Sequence, residues 1–135
     1  MIVVDSNIII YLHLQSERTP QALRALQKDP YWIAPPLWES EFRNVLAGYI
    51  RRRILKLEDA KLVMNSALQT MEGREILPPP DLVLDLVAAS DCSAYDCEYV
   101  ALARHLNVKL VTGDKKVLES FPETAFDISV FATIE

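Results

Sequence analysis

Short β-branched or apolar runs alternate along this chain with longer stretches in which apolar residues recur every three or four positions. Ile2-Val3-Val4 is the first such run, and Asp5-Ser6-Asn7, three residues that cap helices well, end it. Residues 8–15 are predicted as a short apolar helix and residues 20–28 as a second, with Leu23 and Leu26 turned inward. Tyr31 to Ala34 predicts a strand, closed by Pro35-Pro36. Between residues 37 and 53, Trp38, Phe42, Val45, Leu46 and Tyr49 fall on one stripe, the pattern of a helix packed on one side. Residues 57–71 repeat it, with Ala60, Met64, Ala67 and Met71 inward. Glu75-Ile76-Leu77 is a candidate short strand, and a helix over 81–89 follows the three prolines at 78–80. Ser93 opens a helix that runs to about residue 106, Lys109 to Thr112 reads as a strand, 115–120 as a short helix and 125–130 as a last strand. Strands alternating with helices predict an α/β architecture around a mostly parallel sheet, as a single domain over residues 1–135.

Composition narrows the class. Half of the 135 residues are hydrophobic, Gly is scarce at 3, and no apolar run approaches the length of a membrane span. The N-terminus lacks a basic segment and a small-residue cleavage site, and Cys92 and Cys97 are too few for a disulfide scaffold, so a cytoplasmic protein is expected. The net charge of −5 excludes nucleic-acid binding by bulk electrostatics. Any such partner would need a local basic patch or a bound cation.

Four acids are distinguished by position. Asp5 and Asp114 follow predicted strands at their carboxyl ends, where open parallel sheets bind ligands. Glu41 lies beside the apolar stripe of its helix, and Asp96 aligns with Val100 and Ala103 toward an inner face. Each acid alone has an ordinary reading: Asp5 and Asp114 as helix caps, Asp96 as part of a capping box with Ser93, Glu41 as a residue at the stripe's edge. Together they pose a problem, because carboxylates facing a core repel one another unless something neutralises them. A hard divalent cation with a preference for oxygen ligands, Mg²⁺ or Mn²⁺, resolves it. Ser6, Asn7, Ser93 and Thr112 stand next to these acids and are placed to orient them. Glu39 and Glu98 are expected to point away from the stripes, and His13 to lie on a helix surface. The basic run Arg51-Arg52-Arg53 offsets a helix dipole or contacts phosphate, and Lys115 and Lys116 beside Asp114 could join it.

These residues resemble a known family. Val3-Val4-Asp5-Ser6-Asn7, the block from Glu39 to Leu46, the block from Ser93 to Ala103, and Leu110-Val111-Thr112-Gly113-Asp114 are similar to the four motif blocks of PIN-domain proteins, above all the small VapC-like toxin ribonucleases of toxin–antitoxin pairs. The resemblance implies a three-layer α/β/α sandwich with a central mostly parallel sheet. It implies that Asp5, Glu41, Asp96 and Asp114 coordinate Mg²⁺ or Mn²⁺ and that Asn7 and Thr112 assist. It further implies cleavage of RNA phosphodiester bonds, a homodimer and a cognate antitoxin. On this reading Asp5, Asp96 and Asp114 hold the cation, Glu41 holds the attacking water, and the basic residues position the RNA backbone. An alternative keeps the fold without catalysis: a binding module docking through Tyr31, Trp32, Trp38 and Tyr49. A phosphatase is a poorer fit, since position 7 is Asn rather than a second acid.

Overall fold

The computed structural model describes residues 1–133. Four short strands, β1 (Ile2–Val4), β2 (Trp32–Ile33), β3 (Leu110–Thr112) and β4 (Ala125–Asp127), form a sheet in the order β2-β1-β3-β4, and every pairing is parallel. In register Val3 lies beside Ile33 on one side and Leu110 on the other, and Thr112 lies beside Asp127. β1, β2 and β3 are buried throughout, as strands covered on both faces must be, which is why they read as continuous apolar runs. Eight helices accompany the strands among the described residues: α1 (Ser6–His13), α2 (Thr19–Lys28), α3 (Leu37–Arg51), α4 (Leu57–Thr70), α5 (Pro80–Ala88), α6 (Ala94–Leu106), α7 (Lys115–Ser120) and α8 (Ile128–Thr133). α6 packs on β1 and β3 with α5 against it, while α1 also meets β1 and β3 and carries α2 and α3, completing the expected α/β/α arrangement. Among the described residues, no helix is long and apolar enough to cross a membrane.

The chain leaves β1 toward β2 on one side, then returns to lay β3 and β4 on the other. The strand order therefore reverses between β1 and β3. Loops at the carboxyl ends of those two strands diverge there and leave a crevice, the standard ligand position in doubly wound sheets.

Several boundaries differ from the sequence expectation for local reasons. α1 begins at Ser6 because the Asp5 carboxylate caps it. α2 turns Ala22 and Ala25 to the core and leaves Leu23 exposed, a close approach of small residues that hydropathy alone does not reveal. The expected strand at 75–77 shrinks to one bridge between Ala34 and Glu75. The last strand stops at Asp127, whose Oδ1 accepts from the Ser129 N–H and hydroxyl and starts α8, with Ile128 and Phe131 buried one turn apart. Trp32 and Trp38 are core residues, so they do not form the docking face of the binding-module alternative. His13, expected on the surface, is half-buried with its ring edge against Phe42.

Phe42 is fully buried and also meets the Trp38 ring edge-on at 6.0 Å, so it joins α3 to the core one residue from Glu41. Phe42→Ala should destabilise the fold by about 3–5 kcal/mol in urea unfolding, as expected for a large buried ring. A loss under about 1 kcal/mol would show that α3 is not anchored here.

Candidate active site

The crevice between β1 and β3 is lined by the ends of four elements. Asp5 follows β1, Asp114 follows β3 by two residues, Glu41 sits in the second turn of α3, and Asp96 in the first turn of α6. Asp5 is the deepest of them, with 4% of its surface exposed. Its Oδ1 accepts from the Ser6 N–H at 2.8 Å and its Oδ2 from the Thr112 hydroxyl at 2.8 Å.

Thr112 ties the two strand ends together. Its hydroxyl donates to Asp5 and accepts from the Asp114 N–H at 3.0 Å and the Asn7 amide at 3.5 Å, which uses its full hydrogen-bonding capacity. Asn7 completes the bridge by accepting from the Gly113 N–H through its carbonyl at 3.2 Å. Asp114 is fixed in turn: its Oδ1 caps α7 by accepting from the Lys116 and Val117 N–H groups. Ser93 caps α6 by accepting from the Asp96 N–H at 3.1 Å. The capping readings and the site readings of these acids thus coexist, because capping fixes a carboxylate without removing its charge.

The electrostatics bind the four acids into one group. Burial pushes the Asp5 carboxyl up from 3.8 to about 7 against the pull of its Thr112 hydrogen bond, and the charges of Glu41 and Asp96 push it further. Asp96 is raised by burial, then by Asp114 and Glu41, while Lys116 acts in the opposite direction. Glu98 is half-buried, and burial followed by the Glu41 charge raises its carboxyl. Glu39 is half-buried and pairs with Arg43 at 3.7 Å.

Sequence reasoning missed Tyr99. It is wholly buried, three residues beyond Asp96 on α6, and its hydroxyl donates to Glu41 Oε1 at 2.5 Å. Burial and that acceptor hold its proton on more tightly than in a free phenol. A buried Tyr needs a partner for its hydroxyl, and its one-turn spacing from Asp96 was the available signal.

Oxygen donors at the meeting point of four elements, with mutual repulsion and raised protonation, suit a hard divalent cation. The carboxylates do not stand ready as a closed cage: among the described residues, no three Asp, Glu, His or Cys side chains are close enough together to hold a metal ion. Each acid is instead held by its own partner, namely Thr112, Tyr99, Ser93 or the start of α7. The basic candidates divide. Lys115 and Lys116 are exposed in the first turn of α7, beside Asp114. Arg51 lies ten residues along α3 from Glu41, about 15 Å at the helical rise. Arg52 folds back to donate to Gly48 O at 3.2 Å and covers the Tyr49 ring, as a helix-end cation does. Arg53 caps the turn with φ at 59°.

The raised Asp5 value fixes a pH dependence. Between 3.8 and about 7 the folded chain holds a proton that the unfolded chain has released, so stability from this group is present below about pH 4 and is lost as the pH rises through about 7. The full effect is at most roughly 4 kcal/mol. Metal-free protein should lose stability in urea between about pH 4 and 7, and Asp5→Asn should remove most of that slope. An unchanged slope in the variant would mean that Asp5 is not the strained acid.

Known proteins share this fold. The sequence profile of the PIN domain matches residues 2–126. Ribonuclease VapC3 of Pyrobaculum aerophilum is 28% identical over 124 residues, which span 90% of this chain and 95% of that protein. Among solved structures, PAE2754 of Pyrobaculum aerophilum superimposes with a TM-score of 0.73 at 19% identity, over 97% of this chain and 92% of that one. FitAcB of Neisseria gonorrhoeae gives 0.74 at 16% identity, over 96% and 99%. With the profile spanning nearly the whole chain, and with a parallel sheet whose switch point gathers the four motif acids, this chain belongs to the PIN domain family.

Proposed function

We propose that this protein is a metal-dependent ribonuclease that hydrolyses phosphodiester bonds in RNA, and that it is the toxin of a toxin–antitoxin pair. The observation that carries the reading is the set of four carboxylates from four elements at the sheet's switch point, where Glu41 and Asp96 push Asp5 up and Asp114 and Glu41 push Asp96 up, each beyond the effect of burial. Membership of the PIN family and a relative named as a VapC ribonuclease support it. A second copy of the chain and an antitoxin protein are the partners that go with it.

Asp5, Asp96 and Asp114 would hold the cation, Mg²⁺ or Mn²⁺. Bound there, it supplies positive charge to the phosphoryl transition state and acidifies water. The protein's own groups do the rest. Thr112 and Asn7 keep Asp5 and the β3 end in fixed relation. Glu41 orients the attacking water and accepts its proton. The Tyr99 hydroxyl engages one Glu41 oxygen and leaves the second for that water. Lys115 and Lys116 at the α7 end, with Arg51, Arg52 and Arg53 farther along α3, offer charge to the RNA backbone without reading sequence.

Purified protein should cleave single-stranded RNA with Mg²⁺ or Mn²⁺ and stop in EDTA. Asp5→Ala and Asp96→Ala should each lower the rate by on the order of 10²-fold or more, the loss typical of removing an electrostatic stabiliser. Cleavage that survives chelation or both substitutions would overturn the reading.

A further inference from the structure

One cation beside the loop between β3 and α7 has a guanidinium nitrogen without a hydrogen-bonding role. Arg18 precedes α2, and its guanidinium lies over the Tyr11 ring, 5.6 Å from the centroid. Its Nη1 is buried and has no hydrogen-bond partner. Its nearest acid, Asp127 at the end of β4, stands 3.9 Å away, beyond hydrogen-bond reach, and spends its Oδ1 on Ser129.

The place of this group is fixed by Gly113, between Thr112 and Asp114. A Cβ built on Gly113 would lie 2.9 Å from the Tyr11 hydroxyl and 3.0 Å from Arg18 Nη1, so both groups press on the backbone of the loop that carries the site acids. Asp127 pairs in register with Thr112, which puts the same corner on the β4 side of the crevice. Three elements therefore converge on one short stretch of main chain: α1 through Tyr11, the start of α2 through Arg18, and the end of β4 through Asp127. Nη1 is pinned under the loop, while the side chain as a whole stays 39% exposed, so the remaining guanidinium N–H groups stand at the surface of this corner. The acceptor that fits a planar fork of donors at this corner is a phosphate.

We infer that Arg18 and the Tyr11 hydroxyl form a phosphate-binding subsite on the β4 side of the acid cluster, which takes an RNA phosphate neighbouring the one that is cleaved. The inference rests on the ribonuclease reading and adds a substrate contact to it. Arg18 is here a positioning residue. It holds the strand so that the neighbouring phosphodiester lies over Asp5, Asp96 and Asp114, and it performs no chemistry.

The test uses the full chain and a fluorescein-labelled oligouridylate. Binding is read by anisotropy in EDTA across a KCl series, and cleavage is read separately in Mn²⁺. Arg18→Gln should weaken binding about tenfold, raise KM by a similar factor with little change in kcat, and lower the slope of log affinity against log salt by about 0.7, the value for one phosphate of a single strand. Arg18→Lys should keep the salt slope yet bind more weakly, because it retains the charge and loses the fork. Tyr11→Phe should weaken binding less and leave the slope alone. Asp127→Asn should bind at least as well as the wild type. Unchanged affinity and slope in Arg18→Gln overturn the subsite, as does a loss of melting temperature in Arg18→Gln that Asp127→Asn reproduces with no change in RNA affinity. A wild type that binds RNA through Arg18 but does not cleave it would instead defeat the ribonuclease reading and leave the subsite standing.

Discussion

A carboxylate with almost no access to water, held between two strand ends by one hydroxyl, is the constraint on which this structure turns. Asp5 must follow β1 directly to cap α1, and it must lie beside β3 to meet Thr112. Both conditions require β1 and β3 to be parallel neighbours in the observed register. The geometry that satisfies the backbone at the start of α1 therefore also buries an acid where the sheet changes direction. Placing a carboxyl there favours its neutral form, which is why its proton is held to about 7. The strain is tolerated because the Thr112 and Ser6 contacts satisfy both oxygens.

The other acids extend that strain. Glu41 and Asp96 arrive on helices anchored by large buried rings, Trp38 and Phe42 on α3 and Tyr99 on α6. The packing that fixes the helices fixes the charges. Tyr99 shows the economy of the arrangement, since a core aromatic spends its one polar atom on a site carboxylate. The opposite charge near the cluster is sparse and peripheral: Lys116 acts on Asp96 from the first turn of α7, and Arg18 presses on Gly113 from the β4 side. A group of acids with so little internal compensation is costly to keep charged.

Much of this was legible in the sequence, for reasons that can be stated. The strands are short and buried on both faces, so Ile2-Val3-Val4 and Leu110-Val111-Thr112 stand out as apolar runs, and the acids that follow them are fixed by chain order. The α3 stripe is a clean 3.6-residue pattern, and Trp38, Phe42 and Leu46 are buried as it indicates. What was not legible depended on three-dimensional neighbours. Leu23 and Ala22 differ in hydropathy in the wrong sense for their exposure, because the α2 contact rewards small size. The end of β4 is set by a side-chain cap at Asp127 within an apolar run. Tyr99 joins the site through Glu41, a residue more than fifty positions away, and no local pattern encodes that.

We propose that Asp5, Glu41, Asp96 and Asp114 together make one site for a divalent cation. Titration of Mn²⁺ into the wild-type chain, followed by the electron paramagnetic resonance of the free ion, tests it without reference to catalysis. Saturable binding is expected, which Asp5→Asn and Asp96→Asn each abolish, while Glu58→Gln, an exposed acid of α4 paired with Lys61, leaves it intact. Equal binding by the wild type and the two site variants would contradict it.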